Sequence, residues 1–544
     1  MQIPVSAPRQ GGGIPYKWIV ALVVIIGFFM TVLDTTIVNI AIPRLQNVFG
    51  ADLTSVQWVL TAYTLVQGVA TPLTAFLAQR LGQKRLYLFA LAGFTLGSAL
   101  CGISWNLPLL IFFRVVQGAT GAFMSPLAIT LLYSEFPPEE RGTAMGALGI
   151  PILLAPAFGP TIGGYIVTFL GWQIIFYINV PIGIIGLLMG AFFLRGGRSE
   201  TRTPFDLPGF LFSATGLASL LYGLSDVSTD GWGSVKVLSF LAGGFLLLTI
   251  FVFVELSIVK REGHPLLDLR VFTNTPFTTS NFASMLVTFA LYGGLFIIPV
   301  YLQGLRGLSP YQAGLLLLPQ AFASMAASLL GGRLVDKIGV RGVVIPGLAI
   351  LGLALWLFSS LALNTPYGTI QIWLIIRSLS LGFCFQPLSV AAFSEMSPRR
   401  LPQATAVNTT LRFVVSSLAV AVMATLVQTQ TATHYAHLAE LVTPASPLGQ
   451  LVPSLQALFM QHGATASAAY STAIQTISGL VQQQAAILAM QDSFRISLFT
   501  TGAAILAAFF VRSRRRPNFI QERPLTERER EEEAAALEEA KLMA

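Results

Sequence analysis

Long runs of apolar residues dominate this chain and are separated by short polar stretches. A hydrocarbon core about 30 Å thick is crossed by about 20 mostly apolar residues in an α-helix. Runs of that length occur fourteen times, so the pattern predicts fourteen membrane-spanning helices. Their approximate ranges are 17–42, 55–78, 86–105, 108–132, 143–168, 174–195, 207–226, 236–258, 276–303, 310–334, 341–363, 368–393, 402–428 and 494–511.

The composition agrees with this pattern. Apolar residues make up 54% of the 544 positions and charged residues only 10%, whereas soluble domains carry about 25% charged residues. Most of the surface therefore faces a lipid bilayer, which excludes soluble enzymes, nucleic-acid-binding proteins and disordered chains. The formal net charge of +8 does not change this conclusion, because most basic residues lie in short loops between apolar runs.

The distribution of Lys and Arg predicts the orientation in the membrane, because cytoplasmic loops carry an excess of these residues. With a cytoplasmic N-terminus, 25 of the 32 basic residues fall on the cytoplasmic side. Three fall outside and the remaining four lie within predicted spans. We therefore expect both termini to be cytoplasmic.

Two stretches lie beyond the predicted spans. Residues 429–493 form a long outside segment, part of which is predicted to be an amphipathic helix because side chains recur at helical spacing. These side chains are Ile474, Ile477, Val481, Gln484 and Leu488. Residues 512–544 begin with a basic cluster that we expect at anionic lipid headgroups, and they end in an acidic stretch predicted to be a solvated helix or disordered.

The chain contains an internal repeat. Residues 75–85 read AFLAQRLGQKR and residues 332–342 read GRLVDKIGVRG, at a constant offset of 257. Two homologous helical halves are the architecture of many secondary transporters, with the substrate site near the midplane between them. We therefore expect an all-α membrane protein with two six-helix bundles and two inserted helices. The predicted boundaries are 1–16 for the first tail, 17–200 and 263–511 for the bundles, 201–262 for the inserted helices and 512–544 for the second tail.

Several motifs resemble the major facilitator superfamily, and in particular its fourteen-helix drug:proton antiporter branch, the EmrB-type exporters. Residues 33–43 (LDTTIVNIAIP) are similar to the first-helix motif of that branch, and residues 112–122 (FFRVVQGATGA) to the fourth-helix motif of the superfamily. Residues 155–164 (APAFGPTIGG) are similar to the antiporter motif of the fifth helix. The matching positions are Gly159, Pro160, Gly163 and Gly164. Further similar stretches are 171–183, 264–272, 300–319 and 480–494.

The resemblance also implies cytoplasmic gating loops at the two copies of the repeat. The residues concerned are Gln79, Arg80, Gly82, Asp336, Lys337, Gly339 and Arg341. The family normally carries an Asp where this chain has Gln79, and a Gly where it has Ala75. In the family that Asp helps to hold the two halves together, so the first-half contact is expected to differ here.

Asp34 is the one carboxylate predicted to lie well inside a span. A charge at that depth costs about 2.5–3.5 kcal/mol, so a proton-carrying role is favoured over a carboxylate that caps local hydrogen bonds or stays locked to an Arg. At 1.5 Å per residue, Asp34 and Arg114 lie about 24 Å and 21 Å from the cytoplasmic side. We expect Arg114 to tune Asp34, with proton and substrate competing near them. The alternative for Arg114 is a contact with backbone carbonyls between helices.

The remaining candidate residues concern the substrate cavity. Asn39 and Gln117 lie in the first-helix and fourth-helix motifs, and Arg412 is placed near mid-depth of a span in the second half. We expect these three residues to line the cavity, although Arg412 could equally serve in helix packing. The Gly and Pro residues of the antiporter motif would permit close helix contacts and a kink.

Several chemistries are excluded by the sequence. There is no GxxxxGK[ST] pattern, so ATP is not bound through a P-loop. The four His residues lie outside the predicted spans, and no nucleophile with a base can be assembled within the spans. We therefore expect a transporter and not an enzyme, with no metal and no cofactor besides the proton as coupling ion.

The sequence thus predicts a proton-coupled exporter of hydrophobic small molecules that works by alternating access. One alternative is an exporter of the same fold dedicated to one endogenous metabolite, lipid or siderophore. An integral-membrane enzyme and a transport-dead sensor are further alternatives.

The expected location is the bacterial cytoplasmic (inner) membrane, with many passes. By the resemblance, the segment 429–493 could contact a periplasmic adaptor protein leading to an outer-membrane channel. Alternatively, this segment forms a self-contained lid over the outer mouth of the cavity.

Overall fold

The computed structural model describes residues 15–51, 53–196, 205–261, 263, 265–397 and 400–511, and its regular secondary structure is entirely helical there. The all-α prediction is therefore confirmed for these residues. The predicted tail 512–544, most of the tail 1–16 and His264 lie outside the described residues.

Seventeen α-helices occur in the described part of the chain, joined by short loops. They are α1 (Tyr16–Phe49), α2 (Leu53–Ala70), α3 (Leu73–Leu81), α4 (Gln83–Gly102), α5 (Leu107–Gly121), α6 (Met124–Glu135), α7 (Arg141–Phe169), α8 (Ile174–Tyr177), α9 (Asn179–Phe193), α10 (Leu207–Asp230), α11 (Val235–Lys260), α12 (Thr275–Pro299), α13 (Pro310–Phe358), α14 (Tyr367–Phe393), α15 (Leu401–Glu440), α16 (Pro447–Gln461) and α17 (Ala466–Phe510).

Many of these helices are long and apolar enough to cross a membrane. Eleven such helices are found among the described residues, or twelve if α2 and α3, which meet at a bend of 60°, form one span. The chain is therefore a multi-pass membrane protein.

The internal repeat of the sequence is also a repeat of the backbone. Gly82 separates α3 from α4 with φ 83° and ψ 148°. Gly339, its counterpart 257 residues later, interrupts α13 with φ 80° and ψ 167°. Because a positive φ is easily adopted only by glycine, both copies of the motif turn the chain between two helices in the same way.

Three large apolar clusters organise the described part of the molecule. Two of them are built mainly from the helices before α10, and one of these two also includes residues of α11, α12, the end of α14 and the start of α15. The third is built mainly from α12, α13, α14 and α17. The inserted helices α10 and α11 pack against each other, and α10 also packs against α2 and α15. There Trp58 stacks on Tyr222 with 5.8 Å between ring centroids.

The predicted outside segment 429–493 is largely helical. α15 continues to Glu440, α16 follows it, and α17 begins at Ala466, so that two span helices extend beyond the bundle. The Tyr435 and Ser478 hydroxyls lie 2.8 Å apart between these extensions. The helix is amphipathic, but its buried face differs from the predicted one. Ile477 and Val481 are buried, whereas Ile474 and Gln484 are exposed and Leu488 is partly exposed.

The loops predicted to be cytoplasmic lie together at the side of the bundle where α1 begins. Lys17 forms an ion pair with Glu140 at 2.5 Å. The Arg195 backbone N–H donates to the Tyr16 hydroxyl at 2.9 Å, and Lys84 donates to the Ala191 carbonyl at 2.9 Å. We refer to this side as the predicted cytoplasmic side.

Candidate functional site

A buried ion pair joins α1 to α5. The Nη1 atom of Arg114 lies 2.5 Å from Oδ2 of Asp34, and both side chains are fully shielded from solvent. The structure therefore brings together the two residues whose depths matched in the sequence. Because a lone charge is costly at this depth, each of the two residues compensates the other.

Two amides complete the environment of Asp34. Oδ1 of Asp34 accepts hydrogen bonds from Nε2 of Gln117 at 3.0 Å and from Nδ2 of Asn179 at 3.1 Å. The Asn179 amide also donates to the Ser98 hydroxyl at 3.1 Å. Asn179 and Ser98 were not identified from the sequence. The sequence could have pointed to them, because an uncharged polar side chain inside an apolar run needs a hydrogen-bond partner when it is buried.

Arg114 is held by further contacts from α2. Its Nε atom donates to the Val59 carbonyl at 3.0 Å, and its guanidinium lies 3.9 Å from the centroid of the Tyr63 ring. Nη1 also donates to Oε1 of Gln117 at 2.8 Å, whereas Nη2 is buried without a hydrogen-bond partner. The contact with a backbone carbonyl that was considered as an alternative is thus present together with the ion pair.

The Asp34–Arg114 pair holds α1 against α5. Both oxygens of Asp34 accept hydrogen bonds, and its charge balances that of Arg114. Removing one partner of a buried pair leaves the other charge uncompensated, which costs about 3–5 kcal/mol. Loss of either charge would therefore weaken the packing of α1 against α5.

The other cavity candidates lie elsewhere. Asn39 is exposed on α1 and outside the hydrogen-bond network of Asp34. The reason is helical phase, since five residues at 3.6 per turn place it about 140° around the helix from Asp34. Arg412 is partly exposed on α15, and its guanidinium lies 3.9 Å from the centroid of the Phe385 ring on α14.

The glycines of the antiporter motif lie in the middle and at the end of α7. A Cβ atom at Gly159 would come within 2.3 Å of the Thr36 hydroxyl on α1. At Gly163 the nearest atom would be the Ile37 carbonyl oxygen at 3.4 Å, and at Gly164 the Tyr311 side chain at 3.8 Å. Gly159 is thus the member of the motif that the close packing of α1 and α7 most requires, and Pro160 follows it within α7.

The second copy of the gating loop contacts the first half directly. Oδ1 of Asp336 accepts from the Gly142 backbone N–H at 3.0 Å, and Oδ2 accepts from the Thr143 backbone N–H at 3.1 Å. These N–H groups belong to the first turn of α7, where the helix dipole favours a negative charge. Asp336 therefore caps α7 across the interface between the halves.

The remaining gating residues are placed around the same loops. Gln79 is half-buried near the end of α3, and Arg80 and Lys337 are exposed. Arg341 donates to the Val511 carbonyl at the end of α17. Gln79, the counterpart of Asp336 in the repeat, carries no charge with which to cap a helix.

Hydrogen bonds between the two halves lie on the predicted cytoplasmic side. The Thr130 and Thr405 hydroxyls are 2.9 Å apart, and the Ser328 hydroxyl donates to the Gly146 carbonyl at 2.9 Å. Together with the Asp336 cap, these contacts hold the beginnings of α7 and α15 against the opposite half. The two halves are therefore in close contact on this side of the bundle.

Comparisons with known proteins place the chain in a family. The profile of the Major Facilitator Superfamily matches residues 24–420. The chain is 33% identical over 499 residues to the "Uncharacterized MFS-type transporter YhcA" of Bacillus subtilis, covering 91% of this chain and 93% of that protein. It is 31% identical over 436 residues to the "Multidrug resistance protein B homolog" of Mycobacterium tuberculosis, covering 78% and 80%.

The fold is also similar to that of solved transporters. The crystal structure of the human organic anion transporter MFSD10 covers 90% of this chain and all of its own, with a TM-score of 0.58 and 14% identity. At this identity the likeness concerns the fold alone.

Proposed function

Because this chain is a member of the Major Facilitator Superfamily of transporters, and therefore not an enzyme, we propose that it is a proton-coupled exporter of hydrophobic small molecules. The multidrug resistance named for its relatives supports this class of substrate. Proton entry at 100 mV provides about 2.3 kcal/mol, and each pH unit adds about 1.4 kcal/mol. One proton can thus support a gradient of several hundred-fold for a neutral compound.

The observation that carries the proposal is the buried pair of Asp34 and Arg114. Asp34 is the proton site and Arg114 tunes it, because gain or loss of one proton switches the pair between compensated and uncompensated states. The halves meet on the predicted cytoplasmic side, and we assign this conformation to ionised Asp34. Protonation from outside weakens the packing of α1 on α5 and favours opening toward the cytoplasm, where the proton leaves and substrate enters.

We further propose fourteen spans with both termini cytoplasmic, in a bacterial inner membrane. Two features extend the count of apolar helices to this number. Gly339 divides the long helix α13 into two stretches, each about the length of a span, and α7 has 29 residues. An even number of spans then places both termini on the side that carries most basic loops.

The projecting ends of α15 and α17, with α16, form a helical extension on the opposite side. We propose that this extension is the docking surface for a periplasmic adaptor protein. The same extension could instead cover the outer mouth of the cavity. Cross-linking from Tyr470, which is exposed on α17, to a co-purified periplasmic protein or to the transporter itself separates the two arrangements.

Proton release from inside-out vesicles tests the proposed function. The vesicle lumen is acidified, a pH-sensitive dye reports the lumen, and a panel of lipophilic compounds is added one at a time. We expect at least one compound to raise the luminal pH, and Asp34→Asn to abolish the response. Competition by unrelated compounds would distinguish a multidrug exporter from one dedicated to a single metabolite.

The matched control is Asp492→Asn, because Asp492 is also ion-paired, to Arg495 at 2.7 Å, but lies in the projecting part of α17. It is expected to retain the proton response. A response that persists in a correctly folded Asp34→Asn variant would contradict the assignment of the proton site.

A further inference from the structure

A stripe of polar side chains follows the inner face of α15. Thr405 contacts Thr130 of the first half, so this face of α15 points toward the interface between the halves. Asn408 and Arg412 follow at intervals of three and four residues, which keeps them on the same face. Arg412 lies about 17 Å from the start of α15, and therefore near the middle of a 30 Å hydrocarbon core.

The guanidinium of Arg412 lacks the compensation that Arg114 has. Among the described residues, no carboxylate forms an ion pair with Arg412, and its Nε and Nη2 atoms are buried without hydrogen-bond partners. The neighbours that face it are the Phe385 ring, 3.9 Å from the guanidinium, and Tyr292 of α12, the ionisable group with which it interacts. A buried cation with free donors is costly unless an anion or ordered water accepts from it.

Other polar atoms in the same region also lack partners. The Thr409 hydroxyl, one turn before Arg412, and Oδ1 of Asn408 are buried and unpaired. The Asn408 amide nitrogen donates to Oδ1 of Asn281 on α12 at 2.6 Å. The stripe therefore presents both charged and neutral hydrogen-bonding groups for which the described part of the chain supplies no partner.

Arg377, a second buried arginine of the second half, does not offer such a site, although its Nε atom also lacks a hydrogen-bond partner. It is buried in α14 and donates from Nη2 to the Leu291 carbonyl at 2.8 Å. Its guanidinium also fills the space beside Gly294 of α12, where a Cβ would come within 2.6 Å of Nη2. Of Arg377 and Arg412, only Arg412 is partly exposed.

We infer that Arg412 binds the charged group of the exported substrate, and that this substrate is a lipophilic anion such as an amphipathic carboxylate. This inference rests on the proposed export function and names its substrate class. A carboxylate can accept two hydrogen bonds from one guanidinium, while Phe385 and Tyr292 provide an apolar surface for the chain of the ligand. Export of a monoanion in exchange for one entering proton would move two positive charges inward per cycle.

Equilibrium binding to the purified full-length protein tests the inference. The ligands are octanoate, octanol, octylammonium and acetate. We expect octanoate to bind at least about 10-fold more tightly than octanol, in line with charge-assisted hydrogen bonds to a buried cation. Arg412→Gln should remove this preference, and Arg412→Lys should retain part of it.

The matched control is Arg495→Gln, because Arg495 is an exposed arginine of α17 that pairs with Asp492. It should keep the wild-type preference for octanoate. Equal binding of octanoate and octanol to the wild type, or an unchanged preference in Arg412→Gln, would overturn the inference. Binding of acetate as tight as that of octanoate would also overturn it in favour of a small-anion site.

The test is independent of proton coupling, because no gradient is applied. If the proposed proton site is wrong, the octanoate preference of the wild type and its loss in Arg412→Gln are unaffected, so failure of one proposal can be told apart from failure of the other.

Discussion

The two halves of this transporter share a backbone repeat but differ in how they treat buried charge. In the first half, Asp34 balances Arg114, and Gln117 and Asn179 complete the hydrogen bonds of the carboxylate. In the second half, Arg412 has no acidic partner among the described residues. The difference indicates a division of labour, in which one half holds an internal charge that a proton can neutralise and the other presents a charge for a ligand.

The largest expected effect comes from removing one charge of the Asp34–Arg114 pair in the first half. Arg114→Gln leaves Asp34 buried without its cation, so we expect a loss of about 3–5 kcal/mol in the free energy of unfolding. The Asp34→Asn/Arg114→Gln variant should recover most of that loss because no charge remains unpaired. Thermal or denaturant unfolding in detergent measures both values. A double variant as unstable as the single one would show that the ion pair is not the main interaction at this locus.

A smaller effect is expected from a substitution at the contact between the two halves on the predicted cytoplasmic side. A Cβ at Gly332 would lie 2.2 Å from the Gly142 carbonyl oxygen, so Gly332→Val should prevent closure on the predicted cytoplasmic side. Closure can be reported by cross-linking cysteines introduced as Thr130→Cys/Thr405→Cys, with both native cysteines replaced. We expect the cross-linking yield to fall about 10-fold, which corresponds to about 1.4 kcal/mol.

Gly502→Val is the matched control for this experiment, because no atom lies within 4 Å of the Cβ position at Gly502 on α17. Its cross-linking yield should equal that of the parent. An unchanged yield in Gly332→Val would show that closure does not depend on close contact at this glycine.

The smallest effect concerns the asymmetric gating loops. Loss of a helix cap costs about 1 kcal/mol, so Asp336→Asn should shift the population away from the closed conformation by about 5-fold. Gln79→Asp introduces the missing carboxylate in α3, which packs against α15, and should shift the population toward the closed conformation. The same cross-linking reporter measures both shifts. If Asp336→Asn and Gln79→Asp shifted the closed population in the same direction, the two gating loops could not have equivalent roles.

The sequence was sufficient for the all-α fold class and for the central ion pair, while the predicted count of fourteen spans stays a prediction. Apolar runs of span length identify helices directly, and counting residues from a common membrane side placed Asp34 and Arg114 at similar depths. The sequence repeat also identified Gly82 and Gly339 as matching positions. Both have a positive φ, which is easily adopted only by glycine. The superfamily predicted from the motifs is confirmed by the family profile.

Contacts that depend on how each helix is rotated and packed could not be obtained from the depth of a residue in the membrane alone. Asn39 stays a prediction for the cavity, and the rotation of α1 places it on a different face of the helix from Asp34. The partners Asn179 and Ser98 come from α9 and α4, and only tertiary packing brings them together. Whether Arg412 had an acidic partner likewise depended on the packing of α12, α14 and α15.

The most direct test of the division of labour compares two transport modes in the Asp34→Asn/Arg114→Gln variant, using a compound that releases protons in the wild type. Proton-driven accumulation and gradient-free counterflow of that labelled compound are measured in the same proteoliposomes. We predict that accumulation disappears while counterflow stays within about 3-fold of the wild type, a difference of under 1 kcal/mol in barrier height. Accumulation that persists in this variant would contradict the account, because the proton would then be carried elsewhere.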